Sequence, residues 1–275
     1  MRRSKAILML RYFALTTIAL ITLMPILWTL QSTLRPWGEV LGGPLLPSLE
    51  SLTLQNYIDV FRRGQIFTFL RNSTMYGGFS AILCATISLL AGYSLSRFDL
   101  PGKKYILSSF VFVMMIPVLV VLVPIYFMLV TINFANRVAL VLIYAAGNTP
   151  LVVWLSKTYI DSIPKDLDEA AHLDGCNKYQ TLRYIIFPLA TPVFISAIII
   201  VFVNGWSELM YAMIILDRVA FRPITSGILG ALGQYGNQWD MLNTMAMLAS
   251  LPVLILFLFL QRYFIGGIVS GSVKG

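Results

Sequence analysis

Residues 138–156 read VALVLIYAAGNTPLVVWLS, an unbroken run without Asp, Glu, Lys or Arg. Its length is close to the roughly 20 apolar residues a helix needs to cross a hydrocarbon core about 30 Å thick. The apolar residues are continuous and do not alternate, so the run reads as a helix and not as a strand of a transmembrane barrel. Working outward in both directions, the same kind of window recurs at 12–34, 72–96, 105–129, 189–216 and 241–261, the fifth in chain order interrupted by Glu208. The expectation is an all-α integral membrane protein, one domain over 1–275 with six transmembrane helices.

Composition points the same way. The chain is 58% hydrophobic and 12% charged, whereas a soluble domain carries about a quarter charged residues. The 20 Lys and Arg sit between long uncharged runs despite a net charge of +8, which argues against a nucleic-acid-binding face. Two cysteines, Cys84 and Cys176, and a single histidine, His172, supply no disulfide framework, zinc spacing or multi-His metal centre. Arg2, Arg3 and Lys5 precede the first apolar run as they would in a signal peptide. That run is too long for an h-region and lacks a small-x-small cleavage site, so it is retained as helix one.

Orientation follows from the Lys and Arg on each side. With the N-terminus inside, thirteen lie on the inner side and seven on the outer, predicting both termini in the cytoplasm. In the long outer segment, Leu54, Tyr57, Ile58 and Phe61 recur at helical spacing, so 53–64 is expected to form a short amphipathic helix. It either packs on the bundle and headgroups or docks an external protein.

The large polar loop, 157–188, follows the window quoted first. Ser162 is positioned to cap a helix, Pro164 suits its first turn, and Asp166, Asp168 and Glu169 complement the helix dipole. Gly175 supplies a stop. A second helix starts near Asn177, with Gln180 at capping-box distance, and runs toward Pro188. The loop is thus a helix, a turn and a helix. Leu167, Ala170, Ala171 and Asp174 share a face of little bulk, suited either to a groove in another molecule or to packing on the chain's own bundle.

Glu169-Ala170-Ala171, then Asp174-Gly175, then Ile186-Phe187-Pro188-Leu189 resembles the EAA motif of permease subunits of ABC importers, with Phe187 where Leu is common. Further marks resemble the carbohydrate-uptake class, and within it the smaller, six-span subunit of maltose-type permeases. They are Asn56-Tyr57, Asn72-Ser73, Ser96-Arg97-Phe98, Leu100-Pro101-Gly102-Lys103, Ile116-Pro117, Pro124, Ile163-Pro164, Trp206-Ser207-Glu208 and the tail from Gln261 through Gly275. Ser207 replaces an Asn usual in that family.

The resemblance implies half of a translocation path in the inner membrane of a prokaryote, completed by a second permease subunit and driven by two ATPase subunits. It also implies an extracytoplasmic sugar-binding protein that delivers substrate. Residues 165–174 would be the coupling helix, with Glu169, Ala170, Ala171, Asp174, Gly175 and Pro188 in contact with, or transmitting to, an ATPase. The Gly- and Ser-rich tail, 264–275, would either reach between the ATPases or form a disordered cytoplasmic end. The chain has no G-x-x-x-x-G-K-[ST], so ATP and Mg are expected on the partner ATPase, with no cofactor, metal or catalytic residue here.

Within the spans, Glu208 is the sole acidic residue, and an ionisable group near mid-membrane costs on the order of 3 kcal/mol. Asn204, Trp206, Ser207 and Tyr211 lie within a turn of it and are, with Pro117, the candidates for path or gate. The alternative reading is an ion-coupled secondary transporter. That chemistry normally leaves several acidic groups or unwound helix pairs near the midplane, and Glu208 alone fits it poorly.

Overall fold

The structure, a computed structural model, describes residues 2–36, 51–235 and 239–272, with side chains described at 5, 7–36, 51–232 and 239–260. Among the described residues the chain is helix and loop, with no strand. Residues 37–50 of the segment before the amphipathic helix lie outside them, as do Val273, Lys274, Gly275 and the tail side chains from Gln261 onward.

In chain order the helices are α1 (Arg2–Thr33), α2 (Gln55–Arg62), α3 (Gln65–Arg97), α4 (Lys103–Met115), α5 (Val118–Thr131), α6 (Arg137–Asp161), α7 (Asp166–Leu173) and α8 (Lys178–Thr181). Then come α9 (Phe187–Ser207), α10 (Met210–Ile215), α11 (Ile224–Tyr235) and α12 (Trp239–Ser272). Among the described residues, five stretches are each long and apolar enough to cross a membrane: Ile7–Thr33, Gln65–Arg97, Arg137–Asp161, Lys178–Ser207 and Trp239–Leu260.

A sixth crossing requires α4 and α5 together, and these meet at an angle of 98°. The apolar window 105–129 is therefore two helices. Ile116 has ψ 121° and Pro117 ψ 134°, both extended. A residue before proline is pushed toward the extended region, and here Ile116 takes it. Pro25, Pro124, Pro150 and Pro252 stay inside helices, so proline content alone does not locate the break. The window 189–216 also divides: α9 ends at Ser207, Glu208 turns to ψ 133°, and the short α10 follows.

The chain forms two compact units, residues 1–67 with 228–251, and residues 68–227 with 252–275. In the first, the Asn56 side-chain amide donates to the carbonyls of Thr33 (2.9 Å) and Arg35 (2.8 Å), and Tyr57 Oη lies 2.9 Å from Thr33 Oγ1. These bonds close the end of α1, where carbonyls have no partner within the helix. The predicted amphipathic helix is α2, with Asn56 and Val60 buried and Leu54, Ile58 and Phe61 exposed.

Among the described residues, two apolar clusters stand in the second unit. One gathers Leu122, Leu140, Tyr144, Tyr211 and Ile215; the other gathers Leu89, Tyr93, Ile160, Ile163 and Ile186 beneath the polar loop. Helices α3 and α6 touch at Gly92, where an added Cβ would lie 2.7 Å from Ser156 Cβ and 2.8 Å from the Lys157 nitrogen. Asn72 donates to the carbonyls of Ala220 and Arg222, and Ser73 Oγ accepts from the Ile224 N–H at 2.8 Å. The start of α3 thus fixes the loop that leads into α11.

Helix α12 continues to Ser272. The tail, expected from its Gly and Ser content to be a disordered end and from the resemblance to reach between the ATPases, is helical as far as the chain is described.

Candidate functional site

The polar loop is built on the end of α6. Lys157 pairs with Asp161 one turn on, and Ser96 Oγ donates to the other oxygen of that carboxylate at 2.6 Å. Ser162, expected to cap the next helix, instead closes α6, its hydroxyl donating to the Tyr159 carbonyl. Ile163 is buried, so the chain turns inward there before α7 begins after Lys165, which makes no side-chain cap. The dipole is complemented by Asp166, Asp168 and Glu169 in the first turn.

Helix α7 ends as a Schellman motif: Cys176 N–H donates to the Ala171 carbonyl (2.9 Å), Gly175 N–H to the His172 carbonyl (3.0 Å), and Gly175 has φ +86°. That backbone conformation is reserved largely for glycine. Asn177 and Gln180 form the predicted capping box, at 2.9 and 2.8 Å. From Lys178 the chain stays helical to Ser207, but residues Leu182–Ile186 form a π-turn. Pro188 lacks an N–H and its ring would clash with the carbonyl four residues back; widening the preceding turn relieves both.

The predicted small-residue face divides. Ala171 is 2% exposed and packs on the chain's own bundle, while Leu167, Glu169, Ala170, Asp174 and Gly175 are exposed. Leu173 was not singled out from sequence, yet it is 88% exposed.

Sequence reasoning also missed how α7 is held. Arg97, the last residue of α3, has a side chain 5% exposed; its Nε lies 2.9 Å from Asp168 Oδ2, and its Nη2 donates to the Ile163 carbonyl at 2.9 Å. The Lys178 ammonium stands 4.5 Å from the centre of the Phe98 ring. Ser96, Arg97 and Phe98 therefore hold four points of the loop, Asp161, Ile163, Asp168 and Lys178. No local pattern links residues 97 and 168, so spacing could not reveal the pair. A cavity of about 330 Å³, lined by Tyr93, Arg97, Lys165, Glu169 and His172 among others, opens between them.

The second set of candidates surrounds Glu208. Its carboxylate accepts from Tyr144 Oη (2.8 Å) and from the N–H groups of Tyr211 (2.9 Å) and Ala212 (3.3 Å). It thereby satisfies N–H groups at the start of α10 that have no helical partner. Trp206 and Tyr211 are buried. Asn204 is exposed and donates to Asn148 Oδ1 at 2.6 Å, and exposed Ser207 bonds back to Val203. Pro117 lies at the α4–α5 break and makes no hydrogen bond with this group. No group of His, Cys, Asp and Glu able to hold a metal occurs among the described residues.

Comparison with known proteins gives a consistent picture. The family model described as binding-protein-dependent transport system inner membrane component matches residues 84–269. The sulfoquinovosyl glycerol transport system permease protein SmoH of Agrobacterium fabrum is 31% identical, over 97% of this chain and 94% of its own length. The arabinooligosaccharides transport system permease protein AraQ of Bacillus subtilis is also 31% identical, over 94% and 92%. Among solved structures, a chain of a bacterial ABC transporter that imports the acidic polysaccharide alginate aligns with a TM-score of 0.79 at 21% identity, covering 96% of this chain and 98% of its own. At that identity the likeness concerns the fold.

Proposed function

The chain belongs to the family of binding-protein-dependent transport system inner membrane components, and from that premise we propose that it forms one half of the path of an ATP-driven importer of sugars or sugar derivatives. The carbohydrate class is supported by the relatives, which serve a sulfosugar glycoside and arabinooligosaccharides. A second permease subunit would complete the path, an extracytoplasmic binding protein would deliver the substrate, and ATP with Mg would be bound by a separate ATPase. Both termini and the loop 157–188 would face the cytoplasm, a reading that the distribution of Lys and Arg supports.

The observation that carries the coupling role is the mounting of α7. It is short, exposed along Glu169, Ala170 and Leu173, and fixed by the Gly175 motif, by Ala171 and by Arg97 to the bundle. A displacement of such a helix is transmitted to α3 through the ion pair and to α9 through the continuous helix from Lys178. Asp174 and Pro188 serve as its end and as the entry to α9. In the path itself, Asn204 and Ser207 offer exposed polar groups, with Trp206, Glu208 and Tyr211 as their support and the Pro117 break as a gate element.

Ion coupling would need Glu208 to bind and release a cation. Three hydrogen bonds from its own chain already engage that carboxylate.

The test is recovery of the tagged chain from detergent-solubilised membranes, followed by mass spectrometry of what stays bound. A second permease and an ATPase are expected, with the ATPase lost when Ala170 and Leu173 are both changed to Asp. A chain that comes out alone, or an ATPase unaffected by those substitutions, would overturn the coupling assignment.

A further inference from the structure

Arg71 near the start of α3 and Arg137 at the start of α6 line one groove of about 940 Å³ that runs between these helices. At one end stand Arg71 and Arg137 with Asn72 and Tyr76; below them the walls are Phe79, Ile82, Ile87, Val141 and Leu142. Phe79, Ile82 and Leu142 are 60%, 56% and 44% exposed. Among the described residues, neither arginine has a carboxylate within ion-pair distance. Arg137 lies over the Phe221 ring, 4.3 Å from its centre. Such stacking engages the face of a guanidinium and leaves the N–H groups at its edge free.

The polar neighbours do not complete the arginines. Asn72 is bonded to the Ala220 and Arg222 carbonyls and Tyr76 to the Phe221 carbonyl. The groove therefore offers two cationic forks at a membrane face and an apolar channel leading from them toward the midplane. From Arg71 to Ile87 the helix rises about 24 Å, enough for a headgroup and the acyl chain of one leaflet, half of a core about 30 Å thick. Sugar is a poor match for these walls, since an aromatic and aliphatic surface leaves hydroxyls without partners.

The geometry points to a binding site for an anionic phospholipid, its phosphate between Arg71 and Arg137 and one acyl chain along Phe79, Ile82 and Leu142. The site depends on α3 and α6 crossing a membrane and stands whether or not α7 couples to an ATPase. A bound lipid of this kind would cover the apolar face and set its one negative charge between the two arginines.

The test uses the full chain, with the subunits that co-purify, titrated in neutral detergent with phosphatidylglycerol, phosphatidylcholine or inorganic phosphate and read by native mass spectrometry. Phosphatidylglycerol is expected to be retained preferentially, and Arg71→Gln with Arg137→Gln to weaken that preference by about fivefold per guanidinium. Ile82→Trp, which fills the channel, is expected to reduce retention of both lipids and leave the co-purifying subunits unchanged. Inorganic phosphate should not displace the lipid. Equal retention of both lipids by the unaltered chain, or no change in the double variant, would overturn the site. So would a photo-crosslinker at Phe79 that captures a protein helix in cell membranes instead of lipid.

Discussion

Gly175 holds α7 closed at φ +86°, and a Cβ at that position would meet nothing within 4 Å. The penalty for another residue is therefore conformational, about 1–2 kcal/mol for a left-handed backbone, and it falls on the helix end and not on the core. Gly175→Val is expected to leave the chain in the membrane at normal levels while ATP hydrolysis continues without sugar uptake. Unchanged uptake in reconstituted vesicles would refute it. Glu208 presents the opposite case, a carboxylate whose bonds are internal. Glu208→Ala removes the acceptor for two N–H groups and the Tyr144 hydroxyl, and leaving a buried donor unpaired costs about 1–3 kcal/mol. A lowered Tm in detergent is expected for Glu208→Ala. Glu208→Gln, which keeps an acceptor, should transport with a near-normal KM; a tenfold rise in KM for sugar would instead place the side chain against substrate.

At the scale of the elements, the close approach of α3 and α6 at Gly92 and the Arg97–Asp168 pair determine where the loop sits. Gly92→Val forces side-chain atoms into the Ser156 Cβ and the Lys157 nitrogen. Overpacking of a tight contact costs about 1–3 kcal/mol, so the expected outcome is loss of chain from the membrane and a lower Tm. Gly78→Val in the same helix, where an added Cβ meets nothing within 4 Å, is the control and should be tolerated. Breaking the ion pair has a different signature. Asp168→Asn leaves the nearly buried Arg97 guanidinium with the Ile163 carbonyl but without its counter-charge. The expected result is weaker co-purification of the ATPase at raised salt, with the chain still inserted. The elements differ in how readily sequence reveals them. Gly175, Asn177 and Gln180 could be read because caps depend on neighbours three or four residues away. The break at Pro117 could not be told from Pro124, because both interrupt hydrogen bonding and both follow a β-branched residue, Ile116 and Val123. Arg97, Asn72 and Asn56 stood out by family likeness alone; their partners are far along the chain, and no periodicity encodes such contacts.

For the whole molecule, long apolar runs made the helical class and five of the six expected crossings legible, since bilayer thickness fixes the length of each run. Orientation rests on charge counting, and the two cysteines allow it to be tested without new mutations on the inner side. Cys84 is buried, and Cys176 is partly accessible just beyond α7. With the loop in the cytoplasm, a membrane-impermeant maleimide added to spheroplasts should leave the chain unlabelled, and the same reagent added to everted vesicles should label it at Cys176. Leu54→Cys places a thiol at a position 63% exposed beside α2, on the opposite side by the same count. In a Cys176→Ser background it should react in spheroplasts and not in everted vesicles. The reverse pattern would invert the chain, leaving α7 on the side where no ATP is available and removing the basis for coupling. Labelling of both positions from one side would mean that α4 and α5, meeting at 98°, do not together cross the membrane, because an odd number of crossings separates α2 from the loop only if that bent pair counts as one.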